Sequence, residues 1–203
     1  GLVVDALETR IKGDLSVSSL RSGSPGLGGA FTISGKDISL PFKVAEIQPL
    51  ADRLSGLKNK TFDISTDFKT NPANGTARLT SLDVKLLGAR ISGQADLGRI
   101  NTQTPLMKGR FSARGPDLPF LMQVAGSFIP DKNNPLADFG PRLAAVPDKP
   151  FDIDLDFDID LQKGRILIPT FSLSALGVKA AGNVSGSDIH SPDSRLNGRL
   201  ALE

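Results

Sequence analysis

Apolar and acidic residues alternate without a break from Phe151 to Leu161. Phe151, Ile153, Leu155, Phe157, Ile159 and Leu161 fall on one parity and Asp152, Asp154, Asp156, Asp158 and Asp160 on the other. A period of two over this length predicts a β-strand with one apolar and one wet face. Gln162 to Arg165, containing Lys163-Gly164, reads as a turn, after which Ile166 and Ile168 resume the apolar face. At Pro169-Thr170 the parity switches, and Phe171, Leu173 and Ala175 carry it on. One extra residue in a strand is the signature of a β-bulge, where proline is tolerated. Ala77 and Leu79 followed by Leu82, Val84 and Leu86 make the same switch. Leu87-Gly88 and Leu176-Gly177 then read as two-residue hairpin loops. The strands that follow keep the face with Ala89, Ile91, Gly93, Ala95 and Leu97, or with Val178, Ala180, Gly182 and Val184. A fourth strand presents Met107, Gly109, Phe111 and Ala113, or Leu196, Gly198, Leu200 and Leu202, and Leu27, Gly29, Phe31 and Ile33 match it near the start.

The pattern recurs because the chain repeats. At an offset of 89 residues Lys60, Phe62, Asp63, Ile64, Asp67, Phe68 and Gly75 fall on Lys149, Phe151, Asp152, Ile153, Asp156, Phe157 and Gly164. At the same offset Leu87, Gly88, Gly93, Gly109 and Arg110 fall on Leu176, Gly177, Gly182, Gly198 and Arg199. At an offset of 80, Arg10, Ile11, Gly13, Gly29, Phe31, Gly35 and Asp37 fall on Arg90, Ile91, Gly93, Gly109, Phe111, Gly115 and Asp117. Three copies follow: residues 1–59, 60–148 and 149–203, the first truncated at its start and the last at its end. Gly1, Leu2 and Val4 align with Ser81, Leu82 and Val84, so the chain is expected to be a piece of a longer one. Repeats of this length stack into arrays rather than closing on a single site.

The predicted fold is mainly β: repeated antiparallel four-stranded meanders, about eleven strands in all, forming one long curved sheet or groove with short connecting helices. Between copies the period changes. Ile47, Leu50, Ala51, Leu54 and Leu57 have helical spacing, with Pro49 early and Gly56 as a C-cap. Phe120, Leu121, Val124 and Ala125 suggest a second short helix with Pro119 in its first turn, and Asn134 to Ala145 a third helix or an ordered loop. Roughly forty inward side chains are too many for so little helix to cover. Three arrangements remain open: a closed barrel or sandwich, a trough curled around its helices, or a trough that takes an apolar ligand.

Composition excludes more than it assigns. With no cysteine among 203 residues, disulfide scaffolds, thiolate metal sites and thiol catalysis are ruled out. The net charge of +2 is spread over mixed charges and gives no footprint for nucleic acid. Phe is the only aromatic, and its best-patterned copies alternate with Asp rather than Lys or Arg, unlike a base-stacking platform. His190 is the only histidine and lies in a Ser/Asp-rich loop, so it reads as a surface residue. The alternating aspartates lie about 7 Å apart along one face, too far to share a calcium ion, and read as a solvated outer face. Gly26 to Gly29 is glycine-rich but joins no βαβ unit, so it is not a phosphate loop. No catalytic constellation, cofactor or metal site is expected.

The segments Pro150-Phe151 with its Phe/Asp strand, Gly164-Arg165-Ile166, Leu173 to Val178 and Gly182 carry a resemblance. Phe62 to Phe68, Gly75, Val84 to Ile91 and Gly93 repeat it, and Gly35 to Phe42 and Gly115 to Phe120 look like its connector. The chain resembles the AsmA-like family of bacterial envelope proteins, most closely their repeated C-terminal region, over essentially its whole length. Copy two departs from the pattern, with Thr66, Thr70 and Pro72 where copy three has Leu155, Ile159 and Leu161.

The resemblance implies a periplasmic, β-rich body tethered to the inner membrane by a segment outside this chain. It also implies similarity to the repeating β-groove lipid-transfer proteins, with a role in phospholipid transport or outer-membrane assembly. The expected partners are phospholipid or another acyl lipid and neighbouring repeats of the same longer chain, with no enzyme activity. The residues expected to line the groove are Phe62, Ile64, Phe68, Leu82, Val84, Leu86, Ile91, Phe111, Phe151, Ile153, Leu155, Phe157, Ile159, Ile166, Ile168, Phe171 and Leu173. The alternative is a structural or interaction module of the envelope with a closed β core and no ligand.

Overall fold

The computed structural model describes residues 1–18, 24–44, 55, 60–119, 149–188 and 194–203. The strands are β1 (Leu2–Ala6), β2 (Thr9–Ser18), β3 (Gly26–Gly35), β4 (Phe62–Asn71), β5 (Thr76–Leu86) and β6 (Ala89–Gly98). They continue with β7 (Leu106–Gly115), β8 (Phe151–Asp160), β9 (Arg165–Ala175), β10 (Val178–Ser187) and β11 (Arg195–Leu202). All eleven belong to one antiparallel sheet whose strand order follows chain order, so each strand pairs with its neighbours in sequence. The sheet is curved and open: among the described residues no ladder joins β1 to β11. The β3–β4 ladder carries the sheet from the first repeat copy into the second, and β7–β8 from the second into the third.

The turns follow from local backbone chemistry. Leu87 and Gly88 have φ of 57° and 84°, and Leu176 and Gly177 have φ of 56° and 78°, the two left-handed residues that a type I′ hairpin requires. A third such turn joins β1 to β2 through Leu7 and Glu8, with φ of 52° and 56°. Neither residue favours that conformation by itself; the 80-residue offset, which places Leu7-Glu8 on Leu87-Gly88, is what marks this turn in the sequence.

Both expected bulges are present. Register passes from Leu155↔Phe171 to Asp158↔Leu167, leaving one residue extra around Pro169-Thr170. In copy two it passes from Asp67↔Ser81 to Phe68↔Leu79, leaving Thr80 extra. Thr66 and Thr70, the two departures on the apolar face, turn their hydroxyls to the backbone. Thr66 Oγ1 donates to the Ser81 carbonyl at 3.2 Å, and Thr70 Oγ1 accepts from Leu27 N at 3.0 Å.

The connectors start alike in two copies. Ile38 N donates to the Lys60 carbonyl at 2.9 Å, and Leu118 N donates to the Lys149 carbonyl at 2.9 Å. In the first copy Asp37 Oδ1 accepts from Ser39 N at 2.8 Å and from Ser39 Oγ at 2.6 Å, which starts the short helix α1 (Ser39–Val44). This turn sets Ile38 onto Phe62, and the pair is buried with Ile33, Ile64, Leu86 and Leu87 packed around it. Apart from Ser55, the helix expected over Ile47 to Leu57 lies outside the described residues. The same holds for the helix expected over Phe120 to Ala125 and for Asn134 to Ala145.

A candidate apolar groove

The registers turn the sequence alternation into continuous rows that run across the strands. One row reads Val4, Ile11, Ile33, Ile64, Val84, Ile91, Ala113, Ile153, Leu173, Ala180 and Leu202, one apolar residue from each of the eleven strands. Its neighbour reads Leu2, Gly13, Phe31, Thr66, Leu82, Gly93, Phe111, Leu155, Phe171, Gly182 and Leu200, with Thr66 the single polar member. At a strand spacing of about 4.8 Å these rows are about 48 Å long.

All seventeen residues singled out from the sequence lie on this one face. Ile64, Val84, Ile91, Ile153 and Leu173 belong to the first row, and Leu82, Phe111, Leu155 and Phe171 to the second. Phe62, Leu86 and Phe151 lie on the side of the connectors. Phe68, Phe157 and Ile168 lie beyond the second row, with Ile159 and Ile166 furthest from the connectors. The sequence analysis placed Phe31 and Ile33 on the apolar face and matched Ile11 to Ile91, but left all three out of the expected lining; they carry the rows through the first copy. The 80-residue offset, which places Ile11 on Ile91, Phe31 on Phe111 and Ile33 on Ala113, was the signal for them.

Each large ring is seated by a missing side chain. Phe62 faces Gly35 and Phe151 faces Gly115 across the ladder. A Cβ added to Gly35 would lie 2.5 Å from Phe62 Cε1, and one added to Gly115 2.7 Å from Phe151 Cε1. These rings therefore lie over bare backbone.

The described residues cover the face thinly. Among the described residues the buried hydrophobic side chains include Ile38, Phe62, Phe151 and Ala175, and the other expected groove residues are half-buried, except Leu173, which is exposed. Exposure rises towards both edges of the sheet, where Leu2 and Leu15 are 60% and 62% exposed and Leu196 and Leu202 are 72% and 66% exposed. An antiparallel sheet ordinarily hides such a face beneath a second layer, and a contiguous apolar patch of this kind marks an interaction surface.

The opposite face is polar and cross-linked by ion pairs. Arg110 grips Asp156 through two hydrogen bonds, at 2.5 and 3.2 Å, and Thr170 Oγ1 adds a third at 2.8 Å. Arg114 pairs with Asp152 at 2.9 Å and Arg165 with Asp158 at 3.0 Å. Arg90 chelates Asp83, and Arg10 chelates Asp5. Asp152, Asp156 and Asp158 of β8 are therefore held by arginines of adjacent strands. Among the described residues no cluster of three or more His, Cys, Asp or Glu is placed to hold a metal ion. The Arg110 guanidinium, helped by Thr170, holds the Asp156 carboxyl below the usual carboxylate range. At the far end of β8, Arg99 reaches Asp160 and Gln162, and its guanidinium likewise holds the Asp160 carboxyl down. Asp160 is buried, so this contact ties the β6–β7 loop to the end of β8.

A depression of about 590 Å³ where the bulges bend β5 and β9 is lined mainly by this charged face, including Arg78, Asp96, Lys108, Arg110, Asp156 and Asp158. Within it Arg78 pairs with Asp96 and Arg110 with Asp156. His190 lies outside the described residues. No helix among the described residues is long and apolar enough to cross a membrane. Comparison with known protein families, curated proteins and solved structures yields no match.

Proposed function

We propose that this chain is a non-enzymatic, lipid-binding stretch of an AsmA-like periplasmic protein. It holds acyl chains along the apolar face of its sheet in support of phospholipid transport or outer-membrane assembly. The observation that carries the reading is the first row described above, eleven apolar residues from eleven strands without a polar interruption. A face of about 48 Å exceeds the roughly 30 Å hydrocarbon core of a bilayer, so it offers room for more than one tail in line. Each methylene transferred from water contributes about 0.8 kcal/mol, which makes a tail a better cover for this face than solvent. The polar, ion-paired opposite face keeps the sheet soluble and discourages face-to-face stacking. The chain is expected to be periplasmic, with membrane attachment supplied by a segment outside it.

Native mass spectrometry of protein purified from a bacterial host tests this. Co-purified phospholipid supports the reading; protein that is lipid-free and excludes a fluorescent fatty acid overturns it. The second reading, a structural module of the envelope, draws on the seating of Ile38 over Phe62, where the chain's own connector covers part of the face. Lipid-free protein of normal stability would favour it.

A further inference from the structure

The apolar face has two unlike rims. One carries the connectors and the hairpins Leu7-Glu8, Leu87-Gly88 and Leu176-Gly177; the other carries the turns 72–75, 99–105 and 161–164. The chain itself closes the connector rim. Ile38 and Ser39 are buried there, with Ile38 seated on Phe62. Pro119, the equivalent of Ser39 at the 80-residue offset, is buried as well. The strand hydrophobics that are buried among the described residues, Phe62, Phe151 and Ala175, all stand in the row nearest this rim. Towards the turns nothing comparable covers the face among the described residues: Leu97, Met107, Ile159 and Ile166 are half-buried and Leu27 is exposed.

Charge divides the rims in the same sense. The connector rim carries Glu8, Asp37 and Asp117. The turns 72–75, 99–105 and 161–164 contain no acidic residue and two cations, Arg99 and Lys163. Arg99 is committed to Asp160, which is buried at the end of β8. Lys163 is exposed and makes no salt bridge among the described residues. Asn74, Thr102 and Gln103 add exposed neutral polar groups beside it in the chain's outer turns. An apolar face that opens onto an uncommitted ammonium, with no carboxylate in the turns around it, suits a molecule whose apolar part ends in a phosphate.

We propose that acyl chains enter the face across the rim of these turns and that the phosphate of the lipid stays at that rim, against Lys163. This rests on the lipid reading above and adds to it the side of entry and the group that is recognised. The contact is exposed to solvent, so it steers the headgroup while the tails supply most of the affinity.

The chain contains no cysteine, so single cysteines can report position. Gln103→Cys on the turn rim and Lys36→Cys on the connector rim, both at exposed sites, are each labelled with a fluorophore. The labelled chain is incubated with phosphatidylcholine vesicles whose lipid carries a nitroxide on the headgroup, and the vesicles are then removed by sedimentation. The expected result is quenching at residue 103 and none at residue 36. In the Gln103→Cys background Lys163→Glu lowers the retained phospholipid, and the quenching with it, about fivefold, whereas Lys163→Arg retains both; circular dichroism checks that each variant folds. Phospholipid retained with quenching at residue 36, or equally at both sites, overturns the side of entry and leaves the lipid reading standing. Quenching at residue 103 that is indifferent to Lys163→Glu overturns the phosphate contact. Protein that retains no phospholipid by mass spectrometry overturns the lipid reading itself, and the rim assignment with it.

Discussion

Phe111 and Phe157 stack with ring centroids 5.7 Å apart and planes 2° from parallel, although they are not direct partners across the β7–β8 ladder. Phe157 faces Gly109, and Phe111 lies two residues further along the same strand. The glycine leaves the ring of Phe157 no side chain to stand against, so it lies down on the backbone and meets Phe111 diagonally. Phe31 and Phe68 make the same contact in the first copies, at 5.9 Å and 16°. Gly109→Ala is expected to destabilise the protein by about 1–3 kcal/mol, the usual range for overpacking, because the new methyl meets the Gln94 carbonyl oxygen first, then Phe157 Cζ at 2.9 Å and Ala95 Cα at 3.1 Å. Phe157→Ala loses both ring burial and the stack, and its cost is expected near 2 kcal/mol. Urea unfolding followed by circular dichroism measures both, and a Gly109→Ala midpoint equal to that of the parent would show that the glycine is not a ring seat.

The three type I′ turns separate backbone preference from packing. At Glu8 the φ of 56° disfavours any residue with a Cβ, and the side chain is exposed. Glu8→Gly, which gives this turn the residue found at Gly88 and Gly177, is expected to stabilise by about 1 kcal/mol. Leu87 has the same backbone conformation but packs against the Ile38–Phe62 cluster. Leu87→Asn relieves the turn while removing that contact, so it yields no net gain. Paired thermal melts of the two variants check the contrast, and equal stabilisation of both would refute it.

These two cases mark what could be read from the sequence. Strand parity, both bulges and the Leu-Gly hairpins were legible because each leaves a local trace: alternation, a parity switch, or a glycine where φ is positive. The Leu7-Glu8 turn has no glycine to mark it and was legible only through the 80-residue offset that places it on Leu87-Gly88. The site was legible as a face, because inward positions follow from parity alone. It was not legible as rows, because a row depends on the register of ten ladders, and the bulges shift that register. Whether the sheet closes was left open for the same reason. Arg99–Asp160 joins a loop to a strand end across an intervening strand, and nothing local at either residue announces it. The ion pairs explain in retrospect why aspartates crowd β8: arginines at Arg110, Arg114 and Arg165 face them from the strands on both sides.

Acid should weaken the fold through these carboxylates. Asp156 and Asp160 have folded pKa values below their ordinary ones, the first through Arg110 and Thr170 and the second through Arg99. A depressed carboxylate contributes stability that is fully present above the unfolded value, about 3.9. That contribution is lost as pH falls through the folded value. The urea midpoint is therefore expected to be flat with respect to these groups from pH 7 to about pH 5 and to fall below about pH 4. Asp160→Asn leaves Arg99 without its charged partner, so it lowers the midpoint at pH 7. The difference from the parent closes as the pH drops and the native carboxyl is itself neutralised. A gap that persists unchanged at pH 2 would assign the effect to packing instead of charge.

Lipid occupancy can be probed with bulk instead of charge, which avoids burying an unpaired carboxylate. Ala113 is the smallest side chain at the centre of the first row, between Ile91 and Ile153 on the flanking strands. Ala113→Trp adds a large, mostly apolar side chain whose one polar group is the indole N–H, so it adds no charge to the face while raising an obstacle across it. If acyl chains lie along the row, co-purified phospholipid measured by native mass spectrometry falls several-fold, with the circular dichroism spectrum unchanged. Arg114→Ala, one residue along and on the exposed, ion-paired face, changes stability little and leaves lipid content at the parent level. Equal lipid content in the Trp variant and the parent would mean that tails do not follow this row. A loss of lipid in Arg114→Ala alone would move the binding surface to the charged side of the sheet.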